Sequence, residues 1–529
     1  MPPALSPAAD LFEPLLSTEA MRTADRRTIE EFGIPGFALM ETAGRGTADV
    51  IEDVYGSLAG RRVLVLAGKG NNGGDGFEVA RVLAGRGASV RIVTLATEKD
   101  ATEDTARNLR LFRHMAEHEH RLELDVFDDI RQLSAAHPPD LVVDALLGIG
   151  VTGALRAPVD ALARWMRGQP APVVALDVPT GLDSDTGVAQ EDTVRADLTV
   201  TMAARKTGLL FNDGPAHAGR VEVVDIGVPP HLMREALAVA GSARLTTDAA
   251  VRALLPERAH DAHKYTAGRV VTVAGSSAFT GAAVMASEAV ARAGAGAVIC
   301  CTPRSARSVV ETKLTEVMTV ALDETDDGTI AYDALPTLQE RTASTDAVLV
   351  GCGLGKHPET QRLVRTLLTE LDGPVVVDAD GLNALAGHTD LISRYADGRW
   401  VLTPHTGELR RLVGTEELDT TDRIALAARW AERWNCVLVL KGMPSVVAAP
   451  DGRVVVAGAY SPALATAGTG DVLAGMTAGL LAQGLDPLDA ALCALHLGGR
   501  AADHYAATRQ PRTMLATDLL EALPYVFAA

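Results

Sequence analysis

The sequence predicts an α/β protein of two domains, each with a parallel sheet covered by helices on both faces. Short apolar runs alternate with helix-length segments along the whole chain. The composition is 47% hydrophobic with only 4% aromatic residues, rich in Ala, Val, Leu and Gly, as parallel α/β proteins are. Glycine- and aspartate-rich clusters follow the apolar runs, where strands hand over to helices. At 529 residues the chain is too long for one core, which gives two to four domains of ordinary size.

The first half carries strand-like runs at 62–66, 89–95, 140–146, 173–176, 198–202 and 221–225. A second series starts at 269–274 and continues at 297–301, 347–351, 374–378, 400–403 and 436–440. It ends in a hairpin, Ser445–Ala449 and Val454–Gly458, turned at Asp451-Gly452. Between the series lies 229–262, with Pro229-Pro230, a helix-like Ala236–Val239, Gly241-Ser242 and polar Pro256–His263. The boundary is placed near 240–245, giving domains 15–238 and 245–527. Neither half copies the other, so the chain reads as a fusion. The Pro/Ala-rich start, residues 1–14, is expected to be disordered.

Charge and cysteine usage narrow the partners. Lys and Arg number 49 against 68 Asp and Glu, a net charge of −19. Such a surface argues against nucleic acid, whose binding rests on phosphate neutralisation. A phosphorylated ligand must then be held locally, by helix termini, single lysines or a metal. The five cysteines, Cys300, Cys301, Cys352, Cys436 and Cys493, form no C-x-x-C pair and read as buried reduced thiols. Residues 1–20 lack a signal-peptide pattern, and the uncharged runs Val270–Ser287 and Val454–Gly470 are too broken by polar and small residues to span a membrane. A cytoplasmic homo-oligomer is expected.

In the first half, Ala67–Gly76 holds five glycines between the strand-like Arg62–Leu66 and the helix-like Phe77–Leu83. Glycines there let backbone N–H groups approach a ligand, and the helix terminus adds a positive dipole end, which suits phosphate. Gly68-x-Gly70-x-x-Gly73 also matches the dinucleotide-binding fingerprint. Asn71, Asn72 and Asp75 add hydroxyl recognition or a cation beside the phosphates. Two further strand ends follow. Leu141–Asp144 runs into Ala145–Gly153, and Val173–Asp177 runs into Val178–Asp183. In an open parallel sheet such ends share one rim, and Asp144 and Asp177 would face the glycine loop there. His114 and His118 have metal-ligand spacing, but with His120, Glu117 and Glu119 they read as a solvated face.

The order Gly70–Gly76, then Asp144–Gly150, then Asp177–Asp183 resembles the epimerase domain of NAD(P)HX repair enzymes, over about residues 20–235. The resemblance implies a Rossmann-like three-layer sandwich. It implies that hydrated dinucleotide is bound by Asn71, Asn72, Gly73, Gly74 and Asp75, by Gly148, Ile149, Gly150, Val151, Thr152, Gly153 and Ala154, and by Asp177. It further implies K⁺ held by Asn72, Asp144 and Thr180, where Thr180 stands in for the family's serine.

In the second half, Ala467-Gly468-Thr469-Gly470-Asp471 opens the apolar helix Val472–Leu481. Glycines at a helix start form an anion hole, and Asp471 is placed to take a proton from a hydroxyl attacking phosphorus. Further loops follow strand-like runs: Gly351–Gly355, Asp378–Asn383, Thr403–Glu408 with His405 as a ligand contact, and Lys441–Ser445. With Gly275–Ala282 they resemble the ADP-dependent NAD(P)HX dehydratase domain, over about residues 245–527, and the ribokinase-like α/β fold. The resemblance implies that Ala282, Gly353, Gly355, His405 and Asp471 contact hydrated NAD(P)H. Lys441, Gly442, Met443, Pro444, Ser445 and Gly470 would hold the adenine nucleotide. Two departures stand out: Cys352 replaces a common proline, and Met443-Pro444 replaces a small pair.

Together the resemblances imply repair of hydrated NADH and NADPH, by epimerisation at C6 and ADP-driven dehydration of the S epimer, with Mg²⁺ on the nucleotide. Asp471 is the expected base and Asp177 the proton handler of epimerisation. Two other readings fit the residues. One is a ribokinase-like small-molecule kinase with an accessory dinucleotide-binding domain. The other is a non-enzymatic dinucleotide sensor.

Overall fold

Strands made almost wholly of Val, Leu, Ile and Ala must be covered on both faces, and the fold does this twice. The computed structural model describes residues 8–133, 138–150, 153–415 and 417–527. Its contacts divide the chain into Pro14–Ala243 and a second unit combining Met1–Glu13 with Arg244–Ala529.

In the first unit, seven parallel strands lie in the order 122–126, 89–94, 62–67, 141–145, 173–176, 198–202, 220–224. The chain winds outward from the strand Arg62–Ala67 in one direction, then returns to its other side with Leu141–Ala145. The rim between these two strands is the switch point at which open α/β sheets bind ligands. Helices Gly36–Tyr55, Asn71–Gly85 and Glu103–Ala116 cover one face and Val159–Arg167 the other, each sealing its own apolar cluster.

The glycine motif sits differently from the sequence reading. The helix begins at Asn71, so the loop is only Gly68-Lys69-Gly70, and Gly73, Gly74 and Gly76 lie in the first helical turns. Their role is close packing. A side-chain carbon at Gly73 would lie 2.0 Å from the Gly68 carbonyl oxygen; at Gly74 it would meet Met40 and Thr105 at 2.7 Å; at Gly76 it would meet Ala145 at 2.5 Å.

In the second unit the strands run 318–322, 297–303, 269–273, 347–350, 375–377, 400–402, 437–440, all parallel. Val446–Ala448 and Val454–Val456 then form the expected antiparallel hairpin, and the latter pairs in parallel with Arg244-Leu245. One face is sealed by helices Thr280–Arg292, Thr469–Leu481, Pro487–Ala506 and Ala516–Phe527. Residues 8–13, within the stretch expected to be disordered, instead form a short 3₁₀ turn and the start of a strand; the Thr247 hydroxyl donates to the Leu11 carbonyl at 2.6 Å.

Helices Thr280–Arg292 and Thr469–Leu481 touch backbone to backbone through Gly475 and Gly479. Replacing Gly475 by Ala sets helix propensity, which favours Ala by about 1 kcal/mol, against overpacking. The new carbon would lie 2.2 Å from the Ala286 carbonyl oxygen, which cannot retreat without moving its helix. Overpacking wins: Gly475→Ala should destabilise this unit by about 1–3 kcal/mol, read as an earlier midpoint in denaturant unfolding.

Candidate functional site

Parallel strands end on a common rim, so polar residues at their carboxyl ends are brought together whatever their separation in sequence. In the first unit a cavity of about 520 Å³ opens there, lined among others by Asn72, Asp75, Gly148, Asp177, Asp25 and Lys206.

Asp144, at the end of its strand, is completely buried. Its carboxylate accepts from the Thr180 backbone N–H and hydroxyl, both at 2.8 Å, and from the Leu146 N–H at 3.2 Å. Burial pushes its pKa up to about 6, and these bonds hold it back from rising further. Leu147 ties the neighbours together: its carbonyl accepts from Asn72 Nδ2 at 3.0 Å and its N–H donates to Thr180 Oγ1 at 3.1 Å. The other end of the Asn72 amide, Oδ1, is buried with no hydrogen-bond partner among the described residues. An orphaned amide oxygen beside a buried carboxylate and a hydroxyl is an oxygen donor set suited to a hard cation. Asn72, Asp144 and Thr180, chosen from the sequence as cation ligands, are therefore neighbours.

Asp177 takes φ of +66°. A non-glycine residue held there costs about 1–3 kcal/mol, and such strain persists only where its surroundings enforce it. Asp177 Oδ1 accepts from the Lys206 ammonium, from Thr201 Oγ1 at 3.1 Å and from the Met202 N–H at 3.3 Å. Lys206, only 1% exposed, also bonds Thr201 Oγ1 at 3.0 Å and the Met202 carbonyl at 2.8 Å. Asp25, Asp75 and Asp104 share the cavity. Burial raises Asp25 to about 6 and raises Asp75 well above the usual range.

Of the other residues chosen here, Asn71 is exposed and its amide oxygen accepts from Thr102 at 2.8 Å. Gly148 and Ile149 line the cavity, Gly150 and Gly153 take positive φ, and Ala154 is exposed. Val151 and Thr152 lie outside the described residues. Asp25, Lys206 and Thr201 escaped the sequence reading because no strand-end glycine cluster flags them. His114, Glu117 and His118 bring donor atoms within 4.8 Å of one another, all of them exposed.

In the second unit the strand ends gather around Asp471, in the first turn of helix Thr469–Leu481. Asp378 and Asp471 carboxylate oxygens and Cys352 Sγ lie within 4.8 Å of one another. Burial, then the nearby Asp378 charge, raises the Asp471 pKa to about 6; a hydrogen bond from the Cys352 thiol opposes the rise. Cys352 is itself fully buried, which pushes its own pKa well up, so it is a thiol donor rather than a nucleophile. Lys441 Nζ sits 2.9 Å from Asp378 Oδ1 and 3.7 Å from Glu408 Oε2. Burial works against its charge, but these two carboxylates more than offset that, and its pKa lies above the ordinary value. A side-chain carbon at Gly470 would lie 3.6 Å from Lys441 Nζ, which places the ammonium at the helix start.

The remaining loops line the same rim. Gly353 approaches Phe279 and Ala282 so closely that a side-chain carbon would lie 2.8 and 2.9 Å from their Cβ atoms. The Gly355 N–H donates to Asp380 at 2.9 Å. The Lys441–Ser445 loop closes on itself: Ser445 Oγ accepts from the Gly442 N–H and donates to its carbonyl, both at 3.1 Å, leaving Met443 exposed ahead of Pro444. His405 caps helix Thr406–Val413. Its Nδ1 accepts from the Gly407 and Glu408 N–H groups at 2.9 and 3.3 Å, and Glu408 returns a bond to the His405 N–H. That nitrogen is committed to the helix, so only Nε2 is left for the ligand contact expected from the sequence. Asp378 and Glu408 were legible only as members of loops; their partnership with Lys441 is a product of the fold.

Comparison with known proteins matches residues 36–208 to the YjeF-related protein N-terminus family and residues 270–525 to the NAD(P)H-hydrate dehydratase family. The bifunctional NAD(P)H-hydrate repair enzyme Nnr of Salinibacter ruber is 52% identical over 99% of this chain and 98% of its own length. That of Moorella thermoacetica is 42% identical over 97% of this chain and 96% of its own. A solved structure of ADP/ATP-dependent NAD(P)H-hydrate dehydratase from Bacillus subtilis, co-crystallised with ATP and Mg²⁺, is 31% identical, covering 53% of this chain and 96% of that one, with a TM-score of 0.45. Among the described residues no helix is long and apolar enough to cross a membrane.

Proposed function

Since this chain belongs to the bifunctional NAD(P)H-hydrate repair enzymes, we propose how its two rims divide the work. The enzyme interconverts the epimers of hydrated NADH and NADPH and dehydrates one of them back to the reduced cofactor. The first unit carries the epimerase and the second the dehydratase.

The observation that carries the dehydratase reading is the half-buried Asp471 at the start of its helix, with Lys441 and Asp378 beside it. Asp471 takes the proton of the C6 hydroxyl, and the oxygen attacks the terminal phosphorus of ADP. The helix N-terminus and Lys441 receive the charge that develops on the phosphoryl oxygens. Hydroxide is a poor leaving group and phosphate a good one. The ring nitrogen's lone pair then expels phosphate, and loss of a C5 proton restores the dihydropyridine. Lys441, Gly442, Met443, Pro444, Ser445 and Gly470 hold the nucleotide, and Ala282, Gly353, Gly355 and His405 the hydrated ring and its ribose. Mg²⁺ would neutralise the nucleotide's phosphates, as in phosphoryl transfer generally.

In the epimerase, K⁺ fits Asn72, Asp144 and Thr180 because it would answer the partnerless Asn72 Oδ1 and the buried Asp144 carboxylate. Its chemistry there is charge compensation that holds the strand-end loops for the dinucleotide. The backbone at Gly70–Asp75 and Gly148–Gly150 receives the pyrophosphate, and Asp177 faces the ring.

A mixture of both epimers with ADP and Mg²⁺ tests the reading by recovery of reduced-nicotinamide absorbance. The whole pool should recover, with AMP and phosphate released. Fast recovery of only one epimer's share would remove the epimerase half, and a stable phosphorylated product would favour the kinase reading. Asp471 must be ionised to act, so dehydration should be full above its pKa of about 6 and be lost as pH falls through it. Asp471→Asn should lower the dehydration rate by about 10²–10⁴-fold. K⁺ should raise the melting temperature of the wild-type epimerase unit above its value in Na⁺, and Asn72→Ala should abolish that difference.

A further inference from the structure

The epimerase cavity is lined by four carboxyl groups, Asp25, Asp75, Asp104 and Asp177, and by one buried ammonium, Lys206. Lys206 spends its three protons on Asp177, Thr201 Oγ1 and the Met202 carbonyl. It is thus committed to one carboxylate, and the bonds it shares with Thr201 and Met202 converge on Asp177 Oδ1. These hydrogen bonds to Asp177 all fall on Oδ1. Asp25 projects from helix Thr18–Arg27 into the same cavity, and its Oδ1 is buried without a hydrogen-bond partner among the described residues. A carboxylate so placed would be a buried charge whose nearest ammonium is already shared with Asp177, and that favours the protonated form. A carboxylic acid and a lysine-paired carboxylate facing one cavity are the two halves of an acid–base pair.

Building on the epimerase reading above, we propose that Asp25 is the general acid of epimerisation and the Asp177–Lys206 pair its base. Asp177 removes the proton of the C6 hydroxyl, and that O–H electron pair forms the C6=O bond. The C6–N1 bond breaks with its pair moving to N1, where the ring's conjugated carboxamide shares it. Asp25 gives its proton to N1. The open aldehyde turns about its C5–C6 bond and presents its other face. N1 then closes on that face while Asp25 recovers its proton and Asp177 returns one to oxygen. No atom or electron is gained or lost, and no co-reactant is needed.

The groups facing Asp25 set the direction of its pH dependence. Burial raises its pKa to about 6, the Lys206 charge opposes this, and Asp177 adds to it. Asp75, Asp104 and Arg22 also line the cavity. The acid works protonated, so epimerisation should fall as pH rises through about 6 and beyond, by about tenfold per unit.

The test follows epimerisation by chromatographic separation of the epimers, without nucleotide so that dehydration is silent, using the full chain. Wild-type kcat/KM should fall from pH 6 to pH 8; a flat profile overturns the proposal without any variant. Asp25→Asn should be at least about 100-fold slower and lose that fall, whereas Asp25→Glu should regain part of both. Dehydration of the S epimer by Asp25→Asn, measured with ADP, reports that the chain is folded. Asp25→Asn epimerising within threefold of wild type, or a fall that survives in Asp25→Asn but vanishes in Asp75→Asn, overturns the assignment. A wild type that epimerises nothing above the uncatalysed rate fails earlier, at the epimerase reading itself.

Discussion

A carboxylate at the carboxyl end of a buried parallel strand cannot be left alone, and both sites of this protein are built from the partners that answer it. Asp144 is met by the Thr180 N–H and hydroxyl, Asp177 by Lys206, and Asp378 by Lys441 and the Thr403 hydroxyl. Thr180, Lys206 and Thr403 come from a neighbouring strand end or the loop beyond it, because parallel pairing places those ends side by side, and Lys441 reaches across from the next strand but one. Desolvating an unpaired charge would cost several kcal/mol, so the pairs are also what keeps the rims in register. Chemistry and stability therefore draw on the same contacts.

Close backbone approach is the second constraint. The glycines of the first motif serve less to loosen a loop than to let helix Asn71–Gly85 start directly against the sheet. Gly351 does the same in the other unit, where a side-chain carbon would lie 1.8 Å from the Asp378 carbonyl oxygen. Bringing a helix start this close to the strand ends aims its free N–H groups at the rim.

Most strands were legible because they are uninterrupted apolar runs, and the hairpin because its turn carries Asp451-Gly452. Two longer strands missed, Leu122–Val126 and Met318–Leu322, are the outer edges of their sheets. They are half exposed, and Glu123 and Asp125 break the apolar run of the first. The shorter ones, such as Arg205-Lys206 and Ala243–Leu245, are below the length at which a pattern exists. The site divided along similar lines. Asn72, Asp144, Thr180, Asp177 and Asp471 stand in glycine-rich strand ends and could be picked out. Asp25 and Lys206 have no such flag, since one sits on an ordinary amphipathic helix and the other in a two-residue strand.

Local sequence sufficed for the alternation of strands and helices, and for which loops carry chemistry, because apolar period and glycine placement act over a few residues. The charge arithmetic of each cavity did not follow from it. Whether a carboxyl group is ionised depends on how deeply it is buried and which cation reaches it, and those neighbours are supplied by chain segments far apart in sequence. Asp25 and Lys206 lie 181 positions apart and Asp378 and Lys441 lie 63 apart. Only folding brings such groups within range, and at that range burial and Coulomb forces decide which of them carries a charge.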